Sequence, residues 1–277
     1  MCSPSASLAL WAGSWLAGVG SPDDVIDAMS EWAPMHLVGA GDDEAATTYG
    51  LRFPGYAEGI AGALAAVRTA ANAGPSPEAG EERIRLVLPA AGAVAELPAR
   101  TDFSRAAIGA EQAVMIGTPG SSGIGLVPVV EGPDVLRWTV YSIDVPAHAH
   151  RDRGLGEAEY EMREAVRGAA DALAQMQSLP TRTLEADPRT RIAELIADAA
   201  RHRYPPEMSE RAFRVLESAD RVAAILTVAA GSAPSEAPTA AAAAAREELV
   251  RPLWAAVRTA RTIAVATSIG ASMQSAR

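Results

Sequence analysis

The chain has 277 residues, of which 49% are hydrophobic and 21% charged, the balance of a soluble globular protein that withdraws roughly 30,000 Å² from water on folding. All 24 basic residues are arginine, so a P-loop lysine, a Schiff-base lysine and a lysine general base are excluded together. The net charge of −10 sits mostly at the front, with nine acids against two arginines in residues 1–80; such a field repels phosphate backbones and anionic lipid, and argues against nucleic-acid or membrane partners.

Leu8, Trp11, Ala12, Trp15, Leu16 and Val19 recur at three- and four-residue spacing and predict one apolar stripe on a helix. This stretch is shorter than the roughly 20 residues of a membrane span. No arginine precedes Arg52, so it also lacks the positive flank of a signal peptide. Cys2 is the only cysteine, which leaves no internal disulfide. The expectation is a cytoplasmic protein. Ser21-Pro22-Asp23-Asp24 reads as a capped helix start, and Pro34 stops that helix. The two helices predict an antiparallel hairpin whose three tryptophans (Trp11, Trp15 and Trp32) pack in the core.

Residues 47–53 read as a strand, and 56–73 as a helix ended by Gly74-Pro75. From Arg83 the period becomes two: 83–88, 113–116, 124–130 and 135–143 are predicted strands, and Asp102 opens a short helix between the first two. The last strand puts Leu136, Trp138 and Val140 on one face and Arg137, Thr139 and Tyr141 on the other. Short connections favour antiparallel pairing. After Pro146 the pattern is helical: 155–177, a helix opened by Asp187-Pro188, a long helix over 207–230 expected to be the most buried, and a last helix over 240–266. The fold class is α+β, with N-terminal helices, a small antiparallel β-sheet in the middle and a C-terminal layer of about four antiparallel helices. It is read as one compact unit over residues 1–277, with a possible subdivision into a helix-plus-sheet part (1–150) and a helical part (151–277).

Candidate chemistry is sparse. His148 and His150, flanked by Asp144 and Asp152, are the only clustered metal-capable groups, and they fall in a charged loop. The glycine-rich 117–125 segment is followed by a strand, whereas a phosphate cradle needs a helix N-terminus there; it reads as a hairpin loop. Asp42-Asp43-Glu44 lacks the spacing of a calcium loop. His36 and His202 stand alone in sequence. Arg83, Arg85 and Arg137 would bind an anion if they converged, with Arg137 the candidate residue. No cofactor is implied.

Trp11-Ala12-Gly13-Ser14-Trp15-Leu16, Ser21-Pro22-Asp23-Asp24-Val25-Ile26, Arg85-Leu86-Val87-Leu88-Pro89 and Leu155-Gly156-Glu157-Ala158-Glu159 together resemble a group of uncharacterised proteins of high-GC actinobacteria. The absence of lysine and the abundance of alanine fit such a genome. The resemblance implies no activity and assigns no residue a role. Two function classes follow from the residues. One is a non-catalytic cytoplasmic accessory or protein-interaction module, binding itself or another protein. The other is an enzyme or small-molecule or anion binder whose site is assembled from dispersed residues around His148, His150, Asp144, Asp152 and Arg137.

Overall fold

The computed structural model describes residues 3–74, 83–147, 154–177, 187–231 and 240–275. In chain order come α1 (Pro4–Leu16), α2 (Pro22–Ser30), β1 (Met35–Ala40), α3 (Asp43–Tyr49), β2 (Ala57–Glu58), α4 (Ala61–Asn72), β3 (Ile84–Val87) and α5 (Asp102–Ala110). Then follow β4 (Ala113–Ile116), β5 (Ser122–Val130), β6 (Val135–Asp144), α6 (Leu155–Gln177), α7 (Pro188–Ala199), α8 (Glu210–Gly231) and α9 (Ala240–Ser275). The class is α+β, as the patterning implies. The backbone groups into a sheet unit (Ser3–Arg151 with His202–Met208 and Val265–Arg277) and a helical unit (Asp152–Arg201 and Ser209–Ala264).

The sheet is six-stranded in the order β2-β1-β6-β5-β4-β3. The run β3-β4-β5-β6 is antiparallel, as short connections require. The sheet is nevertheless mixed, because β1 lies parallel to β6, with Val38 beside Trp138 and Gly39 beside Thr139. β1 has no counterpart in the sequence reading: its six residues lie between Pro34 and Gly41, where neither alternation nor length marks a strand.

Residues 47–53 are not a strand. They belong to α3 and the turn after it, because the Asp42 carboxylate accepts the Ala45 amide (2.7 Å), Asp43 and Glu44 sit at the positive end of the helix, and Gly50 closes it with φ 65°. The β-branched pair Thr47-Thr48 suggested extension, but the Thr47 hydroxyl bonds back to the Asp43 carbonyl (2.8 Å). The cap therefore outweighs propensity. The helix expected over 56–73 begins later, at Ala61, since Tyr56 and the β2 hairpin precede it and Gly59 turns the chain with φ 88°.

α1 differs from its predicted stripe. Ten of its thirteen residues are buried, on all sides, because Ser5, Ala6, Ser7, Ala9, Ala12, Gly13 and Ser14 are small enough for neighbours to close in. It is more uniformly buried than α8, where Phe213 stays 38% exposed. The three tryptophans of the hairpin are not core residues. Trp11, Trp15 and Trp32 are half-buried, and two of them dock the returning 202–208 segment. The Trp32 ring stacks on His202 at 3.5 Å and 4°, while the Trp11 indole N–H donates to the Arg203 carbonyl (3.1 Å). Glu31 accepts both the amide (2.9 Å) and the Nε (2.5 Å) of Arg203.

The two sheet faces are filled separately. Leu136, Trp138 and Val140 point to one face and are buried, as the alternation predicts, together with Ile124, Leu126, Val114 and Leu86 at matching register positions. α1 and α4 pack on these strands. On the other face α5 sets Phe103 and Ala107 among Val87, Ala113, Met115, Val127 and Ile143. This covers only part of that face; among the described residues the remainder, over β5, β6 and β1, is left as an open concavity.

In the helical unit α8 packs against α6 and α7, burying Val215, Leu216, Val222 and Leu226. Ala158 and Met162 of α6, and Val257, Ala260 and Ile263 of α9, are also buried. A buried ion pair, Arg261 to Asp220 at 2.6 Å, ties α9 to α8.

Candidate functional site

Three register rows cross the open part of the sheet. Val129, Arg137 and Leu37 form the first, and Val127, Thr139 and Gly39 the second. The third holds Gly125 and Tyr141, with Gly41 just beyond the end of β1, where its amide donates to the Val140 carbonyl (2.7 Å). The three glycines are seats for rings. A Cβ at Gly39 would overlap the Gly55 carbonyl oxygen and come within 2.7 Å of the Tyr56 ring, one at Gly41 would overlap Tyr141, and one at Gly125 would overlap Phe103. Side chains at these positions would lift the rings off the sheet.

The result is a groove of about 730 Å³. Its floor is Val127, Val129, Arg137 and Thr139. One wall is the small-residue side of α5, formed by Ala106, Gly109 and Ala110. The opposite wall is the 53–56 turn, with the Phe53 and Tyr56 rings, and Tyr141 closes one end. The Arg137 guanidinium lies 5.2 Å from the Tyr56 ring centroid, a cation–π contact. Arg137 is paired through Nη1 with Glu131 on the β5–β6 turn, and its Nε is buried without a hydrogen-bond partner. The Tyr56 hydroxyl meets the Thr139 hydroxyl at 3.4 Å. Burial pushes the Tyr141 phenol up, with help from Tyr56 and Asp42, while Arg137 and Arg105 pull it down. It is therefore a neutral hydroxyl at pH 7.

Arg137 is the one sequence-derived candidate that the fold puts in this groove. Asp144 is exposed at the far end of β6, seven residues and about 23 Å along the strand from Arg137. His148, His150 and Asp152 lie outside the described residues. Arg83 and Arg85 do not converge with Arg137, since β3 is separated from β6 by β4 and β5, about 14 Å across the sheet. Arg83 donates to the Ala71 carbonyl and Arg85 to that of Pro146 (3.2 Å). The 117–121 segment is the β4–β5 hairpin loop, as expected, with Gly117 and Gly120 at positive φ. Asp42 is structural, because its second oxygen accepts the Ser142 amide (3.0 Å). Among the described residues no three His, Cys, Asp or Glu side chains gather as a metal site, and no helix is long and apolar enough to cross a membrane.

Neither histidine that stood alone in sequence is alone in space. His202 stacks on Trp32. His36 is 6% exposed: its Nδ1 accepts the Trp138 indole N–H (3.2 Å) and its Nε2 faces the Met29 carbonyl (3.1 Å). An indole nitrogen only donates, so Nδ1 carries the lone pair and Nε2 the proton. Burial drives the ring's pKa down, against the pull of the Met29 and Ala33 carbonyls. This neutral ring is a core element with both nitrogens used.

Tyr56, Phe53, Thr139 and Tyr141 were missed as site residues. The signal available was the glycines within and beside strands (Gly39, Gly41 and Gly125), which mark close approach of another group. Identifying what approaches them requires the pairing of β1 with β6.

Relatives match nearly the whole chain in sequence. Residues 5–152 match the model of the Rv1486c-like protein, N-terminal domain, and residues 156–262 that of the Rv1486c-like protein, C-terminal domain. The chain is 37% identical to "Uncharacterized protein ML1804" of Mycobacterium leprae, over 96% of this chain and 97% of that one. It is 38% identical to "Uncharacterized protein Rv1486c" of Mycobacterium tuberculosis, over 96% of each. A Mycobacterium avium protein, "Uncharacterized protein MAV321", is 35% identical over 96% of this chain and 97% of its own. No solved structure matches. With both domain models matched in order and full-length identity above a third, the chain belongs to the Rv1486c-like family of mycobacterial proteins.

Proposed function

We propose that this protein is a cytoplasmic accessory protein that binds a small organic anion in the groove over β5, β6 and β1. The observation that carries this reading is Arg137, a guanidinium on the floor of a 730 Å³ concavity, with the Thr139, Tyr56 and Tyr141 hydroxyls around it. A volume of this size suits a small molecule. Fixed donors around one cation suit a carboxylate or phosphate, which an arginine fork holds with paired charge-assisted hydrogen bonds. Arg52, which donates to the Tyr56 carbonyl (3.4 Å), is a further cation beside the groove of a chain whose net charge is −10, whereas Arg105, whose charge reaches Tyr141, is already paired with Asp102. The groups facing the groove are donors and rings, which hold a ligand and need do no chemistry on it.

A second reading, a module that binds another protein or itself, draws on the helical unit, where Tyr160 (59%), Val166 (39%) and Phe213 (38%) leave apolar surface in water. One experiment separates the two. The full chain and R137M are purified from a mycobacterial host at low and moderate salt, and the extracted small molecules and retained proteins are identified by mass spectrometry. The anion reading expects an organic acid that accompanies the wild-type protein and is lost from R137M. Equal acid content in the two refutes it. Recovery of a bare monomer at both salt concentrations refutes the interaction reading.

A further inference from the structure

The two walls of the groove differ in kind. Along Ala106, Gly109 and Ala110 the α5 surface carries nothing larger than a methyl group, so it is smooth. Opposite stand Phe53 and Tyr56, with Tyr141 at the end, so three of only 13 aromatic residues in the chain line one concavity. Phe53 is 44% exposed, an apolar ring held at the mouth where water would otherwise disfavour it. A smooth wall facing rings makes a slot, and a slot fits a flat molecule with a π-face.

On the floor, Glu131 already supplies a carboxylate to Arg137. Both partners keep contact with water, at 29% for Arg137 and 39% for Glu131, so the pair is exchangeable. Glu131 rides on the turn between β5 and β6, whereas Arg137 is fixed within β6 and held against the Tyr56 ring. The carboxylate is thus the part that can leave.

We propose that the groove binds an aromatic ring bearing an anionic group, the ring against Phe53 and Tyr56 and the anion on Arg137, where it displaces the Glu131 carboxylate. This rests on the groove being the ligand site and goes further by naming the class of ligand and its internal competitor. An aliphatic acid satisfies Arg137 but leaves the rings unused. A neutral aromatic fills the slot but leaves Glu131 in place.

Calorimetric titration of the full chain, E131Q and R137M with benzoate, phenyl phosphate, hexanoate and benzamide tests this. Benzoate or phenyl phosphate is expected to bind the wild type with a Kd of about 1 mM or tighter. Hexanoate and benzamide should each be at least about tenfold weaker. E131Q should tighten benzoate by about threefold or more, because no carboxylate competes, and R137M should weaken it by about tenfold or more. Near-UV circular dichroism checks that both variants keep the native packing, and E131Q carries the test should R137M fail to fold. Equal affinity for benzoate and hexanoate overturns the aromatic class while leaving anion binding by the groove intact. Equal affinity for benzoate and benzamide overturns both. Unchanged benzoate affinity in E131Q overturns the displacement, and failure of both aromatic anions to bind at about 10 mM overturns the whole proposal.

Discussion

Acidification should destabilise the sheet unit through His36 in a way that one substitution isolates. In the native protein Nδ1 accepts from Trp138 and Nε2 donates to Met29, so protonation would set two donors against each other and place a charge on a ring 6% exposed. The native pKa is accordingly below the ordinary 6.5. The sign follows. Below about pH 6.5 the unfolded chain takes up a proton that the native ring refuses, so stability is intact above that pH and falls with pH towards the depressed native value, by about 1.4 kcal/mol per unit.

The variant H36N retains an oxygen that can accept from the indole but cannot titrate. Losing the bond to the Met29 carbonyl and part of the ring volume should cost it about 2 kcal/mol near pH 7.5, independent of pH. Urea unfolding followed by tryptophan fluorescence between about pH 7.5 and 5 should therefore show the gap between wild type and H36N narrowing by about 1 kcal/mol per unit below 6.5. The other three histidines are common to both proteins and drop out of the difference. Parallel profiles would refute the neutral, doubly bonded ring.

Two further substitutions test the packing. D220A strands Arg261, whose guanidinium is pulled by burial only to about 10 and so stays charged at pH 7. The loss should be about 3–5 kcal/mol by urea unfolding, whereas the paired change D220L with R261M should stay within about 1 kcal/mol of wild type; a double variant as unstable as the single one would contradict the pairing. G125A puts a methyl group into the Phe103 ring and should cost about 1–3 kcal/mol, most of it recovered by adding F103L. A neutral G125A would show that the glycine is no seat for that ring.

Elements carried by neighbours in sequence were legible. Ser21 caps α2 with Asp24 in a reciprocal capping box, Asp187 caps α7, and α6 spans residues 155–177 as its spacing implies. β6 was read with its faces correctly divided, Arg137 lying opposite the buried Leu136, Trp138 and Val140 face. The errors lie where another part of the chain outweighs the local signal. Asp42 caps α3 against the β-propensity of Thr47-Thr48, and it is anchored by Ser142, 100 residues away. α1 looked amphipathic because its tryptophans follow helical spacing, yet its serines and alanines are buried too.

The sequence alone determines the local alphabet of this protein: periods of 3.6 and 2, caps, turn glycines, and a charge pattern without lysine that excludes whole classes of chemistry. These depend on interactions within a few residues, which composition and spacing encode directly. The parallel pairing of β1 with β6, the buried bond between His36 and Trp138 and the gathering of Phe53, Tyr56, Arg137 and Tyr141 around one groove were decided by the tertiary structure. Residues up to about a hundred positions apart meet there only because two strands choose each other. That choice depends on the summed burial of both sheet faces, a quantity no local window of sequence contains.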